Sequence, residues 1–174
     1  LPQVFGISSK RLKSRFVAVI DPVAASVVAE LRRRGESVAV AESLTGGGLG
    51  AAITSIPGSS DVFPGGIIAY QLPAKETLLK VPRALIEEFG VVSEEVATAM
   101  ADALFELFGT TWAIATTGVA GPGPSDGVAA GSVWIAIRGP INQSTELEIQ
   151  GEREAVRNAS VSSALTTFAR ILAS

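Results

Sequence analysis

The sequence predicts an α/β fold, a three-layer α/β/α sandwich around a mixed, mostly parallel sheet. Three observations carry this. Short apolar runs alternate with helix-period segments through the first two thirds of the chain, the pattern of parallel strands joined by crossover helices. Two strand-like runs then follow one another directly, at 132–137 and 145–149, which adds an antiparallel part. Two glycine-rich turns leave strand ends, and in open α/β sheets ligands gather at the carboxyl ends of strands.

The elements follow in order. Asp21-Pro22 opens a first helix, with Asp as N-cap and Pro in the first turn, and Gly35 stops it. Val23, Val27, Val28 and Leu31 form its apolar face. Residues 37–41 read as a buried strand, and 49–56 as a helix-like run after a glycine turn. Ile56-Pro57-Gly58-Ser59-Ser60 is a loop, and Gly66-Ile67-Ile68-Ala69-Tyr70 a short apolar strand. Pro73 begins a helix containing Lys75, and another short helix covers 82–89. Ser93 caps a long helix whose first-turn Glu94 and Glu95 suit the dipole; Val96, Ala97, Met100, Ala101, Leu104 and Phe105 recur at helical spacing, and Gly109 ends it. Trp112-Ala113-Ile114-Ala115-Thr116 is a strand running into the second glycine turn. After the two consecutive strands, residues 152–173 form the last helix, with Val156, Val161, Leu165, Phe168 and Leu172 inward. Residues 1–20 read as an N-terminal arm or linker and 21–174 as one domain.

Composition narrows the function. The chain has 174 residues, 47% hydrophobic, with mean hydropathy +0.39, so a full core is within reach. Cys and His are both absent, which removes disulfides, thiol chemistry, Ser-His catalysis and imidazole-bound metals. The acidic residues show no metal-ligand spacing, so no metal is expected. No apolar run reaches transmembrane length, and cytoplasm is the default compartment. A net charge of −3 fits a nucleic-acid binder poorly. Lys10, Arg11, Lys13 and Arg15 make the amino-terminal arm basic, read as a solvated face. The chain starts at Leu1 rather than Met, as a trimmed chain or the tail of a longer protein would.

Within this frame Glu42-Ser43-Leu44-Thr45-Gly46-Gly47-Gly48 is the most informative stretch. It sets a serine where a strand ends and a helix begins, next to several unpaired backbone N–H groups. Those parts suit a nucleophile with an oxyanion hole, a phosphate cradle, or simply a capped tight turn. Glu42 reads as an anchor for the loop's amides rather than a general base. Thr117-Gly118-Val119-Ala120-Gly121-Pro122 forms a second lip whose glycines permit close backbone approach. Arg153 and Arg157 lie one turn apart near the start of the last helix, where cations oppose the dipole; an anion site or surface pairing with Glu152 or Glu154 would each explain them.

Five blocks, in order, resemble one family. Ala41-Glu42-Ser43-Leu44-Thr45-Gly46-Gly47 resembles its AES-x-TGG signature. Pro57-Gly58-Ser59-Ser60, followed by Gly65-Gly66-Ile67-Ile68-Ala69-Tyr70 and Lys75, resembles its PGSS…GG-x-x-x-Y-x-x-x-x-K block. Gly90-Val91-Val92-Ser93-Glu94-Glu95-Val96, Thr117-Gly118-Val119-Ala120-Gly121-Pro122 and Gly131-Ser132-Val133-Trp134 resemble the other three. This is the CinA carboxyl-terminal domain family, the nicotinamide-nucleotide amidohydrolases, matched over residues 22–172. The family's amino-terminal domain, with its pyrophosphatase chemistry, has no counterpart in these blocks.

The resemblance implies hydrolysis of nicotinamide mononucleotide to nicotinic acid mononucleotide and ammonia, without metal or organic cofactor, in a homo-oligomer. Its catalytic set would be Ser43 as nucleophile with Lys75 and Tyr70 supplying or relaying the base. Thr45, Gly46 and Gly47 would take the oxyanion or phosphate. Thr117, Gly118, Gly121 and Pro122 would line the substrate, and one of Arg153 and Arg157 would meet its phosphate. Gln71-Leu72-Pro73 and Val128-Ala129-Ala130 depart from the family pattern and bear on substrate identity. The competing expectation is a catalytically silent nucleotide- or partner-binding module.

Overall fold

The computed structural model describes residues 21–174; the basic arm falls outside the described residues. A five-stranded sheet is assembled from β1 (Val38–Glu42), β2 (Gly66–Ile68), β3 (Trp112–Gly118), β4 (Ser132–Arg138) and β5 (Gln143–Glu148) in the order β2-β1-β3-β4-β5. β1 pairs in parallel with both β2 and β3, whereas β3, β4 and β5 are antiparallel. The consecutive strands predicted near the carboxyl end therefore form the antiparallel half. The sheet is flanked by α1 (Pro22–Arg34), α2 (Gly48–Thr54), α3 (Leu72–Leu78), α4 (Arg83–Phe89), α5 (Glu94–Phe108) and α6 (Arg153–Ala173).

Local sequence explains most helix ends. Asp21 Oδ1 accepts from the N–H of Val23 at 2.8 Å, Ser93 Oγ accepts from the N–H of Val96 at 3.3 Å, and Gly35 and Gly109 close α1 and α5 in the left-handed conformation. β2 ends at Ile68, short of the predicted 66–70 strand, although the Ala69 N–H still donates to the Glu42 carbonyl of β1 at 2.8 Å. The last strand begins at Gln143 rather than 145, extended by its register with β4.

The two faces of the sheet differ in side-chain size. On one face Val38, Val40, Ile114, Val133, Ile135 and Ile137 pack with α1, α2 and α6. On the other, Ala39, Ala41, Ala113, Ala115 and Ala136 meet α5 through Val96, Ala97, Met100, Ala101 and Leu104. Alternation along β1 and β3 sends large residues one way and alanines the other, while Ile67 of β2 and Trp134 of β4 flank the alanine face. The alanine face lets α5 lie close over β1, β3 and β4. This arrangement brings the carboxyl ends of β1, β2 and β3 side by side, with the turns that leave them at one edge of the sandwich.

Candidate active site

The turn after β1 is held from three directions. Glu42, the last residue of β1, is fully buried. Its Oε2 accepts from the N–H groups of Gly47 at 2.9 Å and Leu49 at 3.0 Å, and its Oε1 from Gly50 at 2.8 Å. α2 has Gly47 at its N-cap position and no side-chain cap of its own; the Glu42 carboxylate supplies one from the preceding strand. The anchoring role expected for Glu42 is thus what the geometry contains. From below, the Thr45 and Thr116 hydroxyls bond each other at 2.8 Å. From α6, Arg157 donates through Nε to the Leu44 carbonyl at 3.0 Å and through Nη2 to the Thr45 carbonyl at 2.9 Å.

These contacts redistribute the expected amide donors. The Gly47 N–H is committed to Glu42, and the Gly46 N–H donates to the Ser43 carbonyl at 3.1 Å. Neither glycine therefore offers a free amide for an oxyanion. The N–H groups of Leu44 and Thr45 have no acceptor among the described residues. Gly46 has a second reason to be glycine: it lies at φ +60°, and a Cβ there would stand 3.2 Å from Arg157 Nη2.

Lys75 comes from α3, and its aliphatic stem and ammonium are 0% exposed. It is the one side chain of this seven-residue helix that is buried. An element that spends its burial on a lysine is shaped by something other than stability. Nζ lies 2.9 Å from Ser43 Oγ, 2.8 Å from the Ala69 carbonyl and 3.4 Å from the Tyr70 carbonyl. Desolvation by burial lowers its pKa from the usual 10.5 to about 8. The stereochemistry suits both protonation states. As an ammonium, Nζ gives one proton to each of three oxygens. As a neutral amine it keeps protons for the two carbonyls, which can only accept, and turns its lone pair to the serine hydroxyl, which can donate.

Tyr70 is placed differently from the relay expected of it. Its ring is 53% exposed at the rim, and its hydroxyl accepts from Arg153 Nη2 at 2.6 Å. Lys75 reaches Ser43 with no side chain between them, so Tyr70 contributes its backbone carbonyl to the lysine and its hydroxyl to the mouth. Arg153 also donates through Nη1 to the Gly121 carbonyl at 2.7 Å, tying the two lips together.

Ser43, Lys75, Tyr70 and Arg153 share a cleft of about 550 Å³ with the second lip. Gly118, Gly121 and Pro122 line it. Thr117 does too, but its hydroxyl donates to the Val91 carbonyl at 2.9 Å and so is spent on the link between α4 and α5. Gly118 is required mainly by the sheet: a Cβ would lie 2.6 Å from the Ser132 carbonyl of β4. Arg157 does not line the cleft; its guanidinium is turned to the Ser43 turn, so Arg153 is the arginine available to a ligand. Leu72, Val91, Val92, Val119 and Pro124 give the cleft an apolar wall, of which the sequence did not place the α4–α5 link at Val91 and Val92. Only the sheet order could have revealed it, by setting the α4–α5 link beside the end of β3. Among the described residues no cluster of acidic groups could hold a metal.

The fold and the cleft define an α/β domain with a buried serine–lysine pair at the carboxyl ends of parallel strands. The chain belongs to the CinA family: the model of the CinA C-terminal domain matches residues 20–172. A CinA-like protein of Parasynechococcus marenigrum (strain WH8102) is 46% identical over 156 residues, which are 87% of this chain and 37% of that protein. The chain thus spans well under half the length of such relatives. Among solved structures, the CinA superfamily protein KP700603 of Klebsiella pneumoniae 700603 superposes with a TM-score of 0.84 at 31% identity, covering 87% of this chain and 96% of that one. The competence/damage inducible protein CihA of Agrobacterium tumefaciens gives the same TM-score and identity, over 93% and 100%.

Proposed function

We propose that this domain hydrolyses the carboxamide of nicotinamide mononucleotide, giving nicotinic acid mononucleotide and ammonia. The observation that carries the reading is the 2.9 Å contact between Ser43 Oγ and a fully buried Lys75 Nζ whose pKa is lowered to about 8. A serine hydroxyl needs a base, and a desolvated lysine near neutrality is one.

Neutral Lys75 takes the Ser43 proton as Oγ adds to the amide carbon. The carbonyl oxygen gains the negative charge beside the unpaired N–H of Leu44, which lines the cleft, with that of Thr45 next to it in the turn. Lys75 then returns the proton to the amide nitrogen; the C–N bond breaks, ammonia leaves and an acyl ester remains on Ser43. Water, deprotonated by Lys75 in turn, cleaves the ester and restores both residues. The balance is amide plus water to acid plus ammonia. Arg153 at the mouth supplies the positive charge for the substrate phosphate.

The direct test is ammonia release from nicotinamide mononucleotide by the wild-type chain and by Ser43→Ala. The variant should keep its circular dichroism and lose turnover. A wild-type chain that binds the nucleotide but releases no ammonia would favour a silent binding module instead.

A further inference from the structure

We infer that Arg157 is a positioning residue that aims both oxyanion donors, so that it sets the reactivity of Ser43 from α6 without itself touching substrate. The inference rests on the proposed serine chemistry but not on the identity of the substrate.

In a trans peptide the C=O and the following N–H point in opposite directions, and the cis bond found among the described residues is Gly121–Pro122. Arg157 Nε holds the Leu44 carbonyl, so the N–H of the same plane, on Thr45, is turned away from α6. Arg157 Nη2 holds the Thr45 carbonyl together with the Gly48 N–H, which donates to it at 3.1 Å, and the Gly46 N–H of that plane is turned inward to the Ser43 carbonyl. That bond orients the Ser43–Leu44 plane in turn, and its N–H, on Leu44, is left pointing out of the turn. One guanidinium thus holds the Leu44–Thr45 plane by itself, shares the next plane with Gly48, and reaches a third through Gly46. The two amides it leaves unpaired are those that follow Ser43, and the residue after a nucleophile at a strand-to-helix turn is a usual oxyanion donor.

Other features point the same way. The fork is planar and needs two carbonyls at matching separation, which a lysine cannot replace in full. Gly46 lacks the Cβ that would crowd Nη2 at 3.2 Å. Arg157 is half-buried, forms no salt bridge among those of the described residues, and does not line the cleft. Surface pairing and ligand binding therefore leave it unexplained.

The experiment compares wild type, Arg157→Lys, Arg157→Gln and Arg157→Ala in two assays. One is ammonia release from nicotinamide mononucleotide. The other is the rate at which a small phosphonofluoridate labels Ser43, read by mass spectrometry, which needs the base and the oxyanion donors but no nucleotide. Losing one oxyanion donor costs about 10²–10³ in kcat; misaiming should cost Arg157→Gln at least about tenfold in kcat and in labelling, with KM little changed. Arg157→Lys should recover part of the loss, and added guanidinium at non-denaturing concentration should partly rescue Arg157→Ala. Thermal melts show whether the variants are folded at the assay temperature; for a variant that is not, rescue is read at a lower one. A KM effect without a kcat effect, or labelling at the wild-type rate in folded Arg157→Ala, overturns the inference. A wild-type chain that is labelled at Ser43 yet releases no ammonia removes the substrate reading and leaves this one standing. No labelling of wild type overturns both.

Discussion

At the scale of single residues, Lys75 links chemistry to stability through one proton. With a folded pKa of about 8, kcat/KM should rise about tenfold per pH unit below that value and level above it. In Lys75→Met this limb should vanish with the activity. The same shift makes a thermodynamic statement. Between pH 8 and 10.5 the unfolded chain holds this proton and the folded chain does not. Stability from this group therefore increases as pH rises through that window and is lost again as pH falls toward 8. The span is about 3 kcal/mol. Urea unfolding at pH 8 and 10.5 should show wild type gaining relative to Lys75→Met; parallel curves would show that the lysine is not desolvated. Arg153 belongs to the same scale. Arg153→Ala should lower kcat/KM for the mononucleotide roughly ten- to hundredfold more than for the riboside, the loss typical of a charge-assisted bond. Equal losses on both substrates would move the phosphate elsewhere.

At the scale of elements, the turn and α2 depend on a carboxylate from another element. Glu42→Gln keeps the shape but replaces one acceptor oxygen with a donor, set against the N–H groups of α2. The expected cost is about 2–3 kcal/mol, with activity falling as the turn loosens. Chemical denaturation measures the first effect and ammonia release the second. A stability change under about 0.5 kcal/mol, the size of an ordinary surface substitution, would reject the anchoring role. Much of this scale was legible in the sequence. Asp21, Ser93, Gly35 and Gly109 mark helix ends through local chemistry, and helical spacing marks α5. The Glu42 cap was legible as a loop anchor but not in its partners, because the residues it joins meet only when the chain turns back over β1. Nothing local marked Lys75 as buried: lysines on short helices are normally solvated, and the Ala69 and Tyr70 carbonyls that receive it come from a neighbouring segment.

At the scale of the whole molecule, the site draws on both layers of the sandwich. Ser43 lies between β1 and α2, Lys75 on α3, the second lip between β3 and β4, and both arginines on α6. The two apolar clusters share one sheet, so neither layer can melt and leave the site assembled. Activity should therefore be lost in the same urea transition as helical dichroism, at coincident midpoints. Activity lost well before the helices would mean that the rim unfolds as a separate unit.

The sequence by itself determined the α/β class, the succession of strands and helices, and membership of the CinA family, because these depend on periodicity, capping and short motifs that neighbouring residues carry. It also brought Ser43, Lys75 and the two arginines into view as candidates. Tertiary structure decided their parts. It set Lys75 directly against Ser43, withdrew Tyr70 to the rim, committed the Gly46 and Gly47 amides to other acceptors, and turned Arg157 to the loop while leaving Arg153 to the cleft. The physical reason is that a hydrogen bond within about 3 Å depends on where whole elements pack, and residues 32 to 113 positions apart come within that distance only after the sheet has ordered its strands.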